Sequence, residues 1–208
     1  MADITQLQIE LLAHQLHTHS ATDTAVIGTE ADVRSYLSGT VYVYHAPIET
    51  TPIITPGVRY ILQARYDTGG TVNENWIDMI TFQTAFSTAA VSEIDGDEAI
   101  GQTIITVAAD PTAGFSSGDL IYIRDINTLA DSEWNRVDYT AAAPTFVIVD
   151  GLTVAKDTYD DIWSEAETFS GFIDLSGVSY VRMLVLHSGA TGPDIHFKAQ
   201  MVAATDIE

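Results

Sequence analysis

The sequence predicts an all-β protein: a β-sandwich or jelly-roll-like main domain that carries an inserted small β domain resembling a barrel. Three observations predict it. Apolar residues recur with a period of two, the mark of half-buried strands. Strand-length runs rich in Val, Ile, Tyr and Phe are separated by Gly- and Pro-containing turns. No long stretch shows the 3.6-residue periodicity of an amphipathic helix.

The clearest alternation lies in VRYILQARYD, where Val58, Tyr60, Leu62, Ala64 and Tyr66 share one face. Arg59, Gln63, Arg65 and Asp67 fall on the other face, together with Ile61. IHFKAQMVAA repeats the pattern, with Ile195, Phe197, Ala199 and Met201 opposite His196, Lys198 and Gln200. TVYVYHAP, QTIITVAA, DLIYIRD, TFVIVDG and SYVRMLVLH are further β-rich runs. The turn signals SG, TPG, TGG, DGD, SSGD and SGATGPD punctuate them. The first twenty residues read two ways. Asp3 and Gln6 suit a helix cap with Ile4, Leu7 and Leu11 on one helical face, whereas QLQIEL alternates as a strand. Strand or extended arm (residues 1–22) is preferred.

VSEIDGDEAIGQ is an acidic, Gly-containing connector, and KDTYDDIWSEAE is a second acidic stretch. Between them four strands read as a separate small unit, and strands like those before residue 90 resume afterwards. The expected organisation is a discontinuous main domain, residues 1–92 plus 166–208, with an inserted domain at 93–165.

Composition narrows the function. The 208 residues include 29 acidic and 8 basic side chains, a formal charge of −21. Nucleic acid is excluded as a partner, because phosphate binding requires Lys and Arg to displace counterions. An anionic membrane surface is disfavoured for the same reason. Hydrophobic residues make up 46% of the chain, enough for a sizeable core and against disorder. There is no cysteine, so disulfides and thiolate metal sites do not arise. MADITQLQIE lacks a basic region leading into an apolar run, and no eighteen consecutive apolar residues occur. Neither a secretory signal nor a transmembrane helix is expected.

HQLHTHS places His14, His17 and His19 within six positions. A metal site needs imidazoles on one face and a further ligand from elsewhere. On a strand His17 and His19 share a face; on a helix His14 and His17 do. Neither arrangement gathers all three, and HExxH is absent, so the segment reads as a solvated arm. The carboxylates of EIDGDE (Glu93, Asp95, Asp97, Glu98) and of KDTYDDIW (Asp157, Asp160, Asp161) lack the spacing of a calcium loop and read as solvated connectors. Trp76 leads into an apolar run and is assigned to the core. Trp163, in an acidic stretch, is the foremost candidate for a partner interface, with Trp134, Asp160 and Asp161 beside it. No nucleophile motif is present, and no cofactor is expected.

The order of segments in the second half carries a resemblance. A TIITVAAD strand leads into GFSSGDLIYIRD, then DSEWNRV, a hairpin, an acidic aromatic stretch, AETFSGFIDLSGVSYVRMLVL and finally FKAQMVAATDI. This resembles a family of poorly characterised virion proteins encoded in the structural gene clusters of tailed viruses, chiefly over residues 99–207. Its most specific pieces are Gly118-Asp119-Leu120 and Ser132-Glu133-Trp134. The resemblance implies a capsid or tail component and carries over no catalytic residue. The expected function is that of a non-enzymatic cement or decoration protein on the capsid surface, binding the major capsid protein and copies of itself. The alternatives are a tail, neck or fibre component, or a carbohydrate-binding adhesion module.

Overall fold

A computed structural model describes residues 6–18, 24–48, 58–67, 75–84, 89–108, 114–140, 145–187 and 194–205. Before the acidic connector the strands are β1 (Gln6–His17), β2 (Thr24–Ile27), β3 (Ala31–Asp32), β4 (Ser38–Pro47), β5 (Val58–Arg65) and β6 (Ile77–Gln83). The middle of the chain forms β7 (Val91–Glu93), β8 (Ile104–Thr106), β9 (Leu120–Arg124), β10 (Glu133–Thr140), β11 (Thr145–Ile148) and β12 (Asp161–Trp163). The end forms β13 (Glu167–Asp174), β14 (Tyr180–His187) and β15 (Ile195–Ala204). Among the described residues the only helical element is a 3-10 turn at Leu129–Asp131.

The first and last groups of strands build two facing antiparallel sheets. One has the order β1-β15-β4-β13; the other runs β2-β14-β5-β6, with β3 also on β14. Since β2 and β3 pair with successive parts of β14, they act as one broken strand. Eight strands then pair first with last, second with seventh, third with sixth and fourth with fifth. That nesting is a jelly roll. The fold class read from alternation is therefore the one observed.

The core lies between these sheets and follows the period of two. Val41 and Val43 of β4, Val58, Tyr60, Leu62 and Ala64 of β5, and Ile195, Phe197 and Met201 of β15 are all fully buried. Full burial of one Val, Leu, Ile or Phe side chain contributes about 1.5–3 kcal/mol, so the rows fix the register of both sheets. Gly28 sits between the two sheets. Its N–H donates to Met183 O, and a Cβ there would lie 2.1 Å from Leu11 O.

β1 settles the ambiguity at the N-terminus. It pairs along β15 from Gln6↔Ala204 to His17↔Ile195, and Leu11 is fully buried. Residues 6–17 are thus an integral strand, the first of the two preferred readings, and neither an extended arm nor a helix. Irregularities between Glu10 and Leu12 and between Leu12 and Gln15 interrupt the register.

Residues 91–163 leave the jelly roll between its fifth and sixth strands and form a sheet of order β7-β12-β9-β10-β11-β8. An Ile94↔Val107 bridge, with Asp95 N–H to Thr106 O and Ala108 N–H to Glu93 O, ties its two ends and curls it toward closure. The interior holds Ile94, Ile105, Ile121, Ile123, Phe146 and Ile162. Two of the six strands, β7 and β12, lie in the stretches read as acidic connectors. In the turn before β9, Gly118 has φ of +90° and Asp119 Oδ2 accepts the Ser116 N–H at 2.7 Å.

Candidate functional site

The sandwich and the curled sheet meet along the outer face of β1-β15-β4-β13. In β4 the valines point inward, so Tyr42 and Tyr44 point outward and are half-buried. Register places Gln200 and Ser170 on either side of Tyr42, and Lys198 and Thr168 on either side of Tyr44. One row further on, Val202 and Phe172 flank Thr40. Phe172 is 71% exposed, the most exposed large apolar side chain among the described residues.

Trp134 of β10 overhangs one end of this face. Its Nε1–H donates to His45 O at 3.3 Å, and its ring centroid lies 5.7 Å from that of Tyr44. The Lys198 ammonium sits 4.7 Å from the Tyr44 ring and 5.0 Å from the Trp134 ring. Burial lowers the Lys198 pKa, opposed by the Glu133 carboxylate. Two open depressions result. One of about 270 Å³ is lined by Tyr42, Tyr44, Trp134, Arg136, Asp150 and Thr168, among others. The other, about 380 Å³, lies between Thr40, Tyr42, Phe172 and Val202. They share Tyr42 and form one two-lobed groove along β4.

Behind Trp134 lies a ring cluster. His14 Nε2 and the Tyr122 hydroxyl share a 3.1 Å hydrogen bond, and the His196 ring stands 4.8 Å from Tyr122 and 5.6 Å from His14. Burial, then the positive charge of Lys198, holds His14 down to about 4. Burial, then the charges of His14 and Arg124, holds His196 down to about 3. Both imidazoles are neutral near pH 7, and neither ring nitrogen of His196 has a hydrogen-bond partner among the described residues.

The structure separates the histidines of HQLHTHS. Three positions apart on β1, His14 faces the outer cluster, while His17 turns toward His187 (5.4 Å between centroids) and Phe197. His19 lies outside the described residues. Among the described residues no three His, Cys, Asp or Glu side chains converge on a point suited to a metal ion.

The acidic candidates need correction. Trp163 is 7% exposed and packs with Ala46, Ala89 and Tyr122 where the two bodies meet. Its Nε1–H donates to Asp161 Oδ1 at 2.6 Å. Asp161 also receives both arms of Arg124, with Arg124 Nε 2.9 Å from Oδ1. Asp160 is fully buried; its two oxygens accept the N–H groups of Ile126 and Asp157. Burial raises both carboxyls. β12 is an interior strand between β7 and β9, and these side chains are buried within the chain, where they hold its strands together. Glu98 is likewise buried, with its Oε1 on the Thr106 N–H. Trp134 alone of the four interface candidates keeps partial exposure. Trp76 is not in the core: it is half-buried, with the guanidinium carbons of Arg182 and Arg65 at 4.0 and 5.2 Å from its ring.

The alternation in TVYVYHAP held the signal for the groove. Valines in phase with the core leave both tyrosines outward, and sequence reading had treated the run only as a strand.

No protein-family model matches the chain, and no curated protein matches it. Among solved structures it is weakly similar to particles of infectious bursal disease virus. The Gx-strain structure aligns over 99% of this chain and 43% of its own, with 10% identity and a TM-score of 0.23. The T13 viral particle gives 100% and 41%, with 9% identity and the same TM-score. This chain therefore spans less than half the length of those proteins. With so low a TM-score, the likeness has no bearing on function.

Proposed function

We propose that this chain is a structural, partner-binding component of a virion, specifically a cement or decoration protein on the outer capsid of a tailed virus. The observation that carries the reading is a set of exposed apolar side chains on the curled sheet. Ile104 of β8 and Tyr139 of β10 flank Val147 of β11, which is itself only 6% exposed. Ile104 and Tyr139 are 54% and 53% exposed, and Val149, two residues beyond Val147, is 52% exposed. A rigid strand platform bearing exposed apolar anchors suits a protein whose work is adhesion. The surrounding negative charge keeps the free chain soluble and favours a basic patch on the shell protein. A protein that binds only the assembled shell stabilises it by mass action. The resemblance over residues 99–207 points the same way.

The test is cosedimentation of tagged chain with particles of the virus that encodes it. The chain should travel with capsids at shell stoichiometry and detach before the capsid breaks. The double substitution Ile104→Ser, Tyr139→Ser should abolish this while leaving the melting temperature within a few degrees. Absence from capsids, or equal binding by the variant, rejects the reading.

A further inference from the structure

We propose that the two-lobed groove on the outer face of β1-β15-β4-β13 binds a neutral oligosaccharide. Its lining includes neither Ile104 nor Tyr139, so the inference does not depend on the capsid reading.

A hexose in its chair form presents patches of C–H on its faces and hydroxyls around its rim. A site for it needs flat apolar surfaces with hydrogen-bonding groups between them, and little need of net charge. The groove is built that way. Phe172 and Tyr42 supply ring surface on neighbouring strands, at diagonal positions of the register. Thr168, Ser170, Thr40 and Gln200 stand among them on the same face, each able to donate to or accept from a sugar hydroxyl. The stretch of β4 from Ser38 to Tyr44 spans about 20 Å at the usual strand rise. That suits an extended oligomer better than a single ring.

Charge decides between ligand classes. The chain carries −21 overall. Yet the residues lining both lobes include one cation, Arg136, and one anion, Asp150, which cancel. Lys198 lies across the rings at the Trp134 end, adds a donor within reach of a hydroxyl, and leaves the groove with one net positive charge. One net cation on so acidic a chain falls short of the several that an anionic polysaccharide or a nucleic acid requires. A protein partner is less well matched, because the apolar groups are divided by hydroxyls and do not form the desolvated pocket that an interface anchor fills.

The experiment titrates the full chain with cellohexaose, maltohexaose, chitohexaose and a mannan-derived hexamer, with an oligoguluronate hexamer as the anionic control. Binding is read by calorimetry and by tryptophan fluorescence, since Trp134 borders the groove. At least one neutral hexamer should bind while the anionic control does not. Phe172→Ala should weaken that binding at least about tenfold, a loss of about 1.4 kcal/mol, with thermal unfolding unchanged. Tyr42→Ala and Thr168→Ala should weaken it as well. The inference is overturned if no neutral hexamer binds at millimolar concentration, or if Phe172→Ala leaves the affinity intact. It is also overturned if Phe172→Ala releases the chain from capsids while no glycan binds, because a protein then occupies this face.

Discussion

Replacing His196 by phenylalanine tests the account of the ring cluster. His196 is 3% exposed, lies tilted against Tyr122, and has no hydrogen-bond partner among the described residues on either ring nitrogen. Phenylalanine keeps the ring and removes two polar atoms that gain nothing from burial. A cavity of about 220 Å³ beside it, lined by Leu16, Ile126 and Leu129 among others, gives room for the added atom. At pH 7 the substitution should therefore change stability by less than about 1.5 kcal/mol, the usual limit for a volume-tolerant swap.

Acid separates the two proteins. The folded state holds His196 at about 3 against an ordinary 6.5, so the unfolded chain takes up a proton that the folded chain refuses. The favourable contribution of neutral His196 is complete above pH 6.5 and is lost as pH falls from there toward 3. At pH 5 the loss is about 2 kcal/mol, from 1.36 kcal/mol for each pH unit below the unfolded value. The nearby positive charges of His14 and Arg124 act in the same direction. Asp160, Asp161 and Glu167, whose pKa values burial raises, gain protons on folding and strengthen the fold as pH falls, but they are common to both proteins. Urea unfolding of wild type and His196→Phe at pH 7 and pH 5 should show the variant losing about 2 kcal/mol less across the interval. Parallel pH dependences would refute the reasoning. So would a loss above about 3 kcal/mol at pH 7, the size expected if a buried hydrogen bond had been removed.

Gly28→Ala forces a methyl carbon against the Leu11 carbonyl oxygen of the facing sheet. It should cost about 3 kcal/mol, visible as a large fall in melting temperature, and a neutral effect would mean that the sheets are not in this contact. Arg124→Ala strands the Asp161 carboxylate under Trp163 and should cost about 3 kcal/mol. Adding Asp161→Asn should recover much of that loss in urea titrations, and simple additivity would show that the pair is not coupled.

Sequence alone carries the fold wherever alternation meets two-sided packing. Val58 through Ala64 and Ile195 through Met201 bury the predicted faces because one period of two serves both the strand and the sandwich. Reading fails where pairing depends on distant chain. β12 looks like a solvated acidic stretch because nothing local reveals that Arg124, 37 positions earlier, neutralises Asp161. The separation of His14 from His17 follows from alternation once β1 is a strand, whereas their ring partners, Tyr122 and His187, come from distant chain. The groove was half legible: the outward tyrosines follow from phase, whereas Phe172 joins them only through the β13–β4 register.

The nesting of the strands has a consequence for biosynthesis. β1 completes its sheet only by pairing with β15, whose residues emerge from the ribosome nearly the whole chain later. Residues 91–163 pair only among themselves in their sheet and are free to collapse first. Until the last strand arrives, the earlier strands expose unpaired edges and apolar faces, so slow release from the ribosome invites aggregation and chaperone capture.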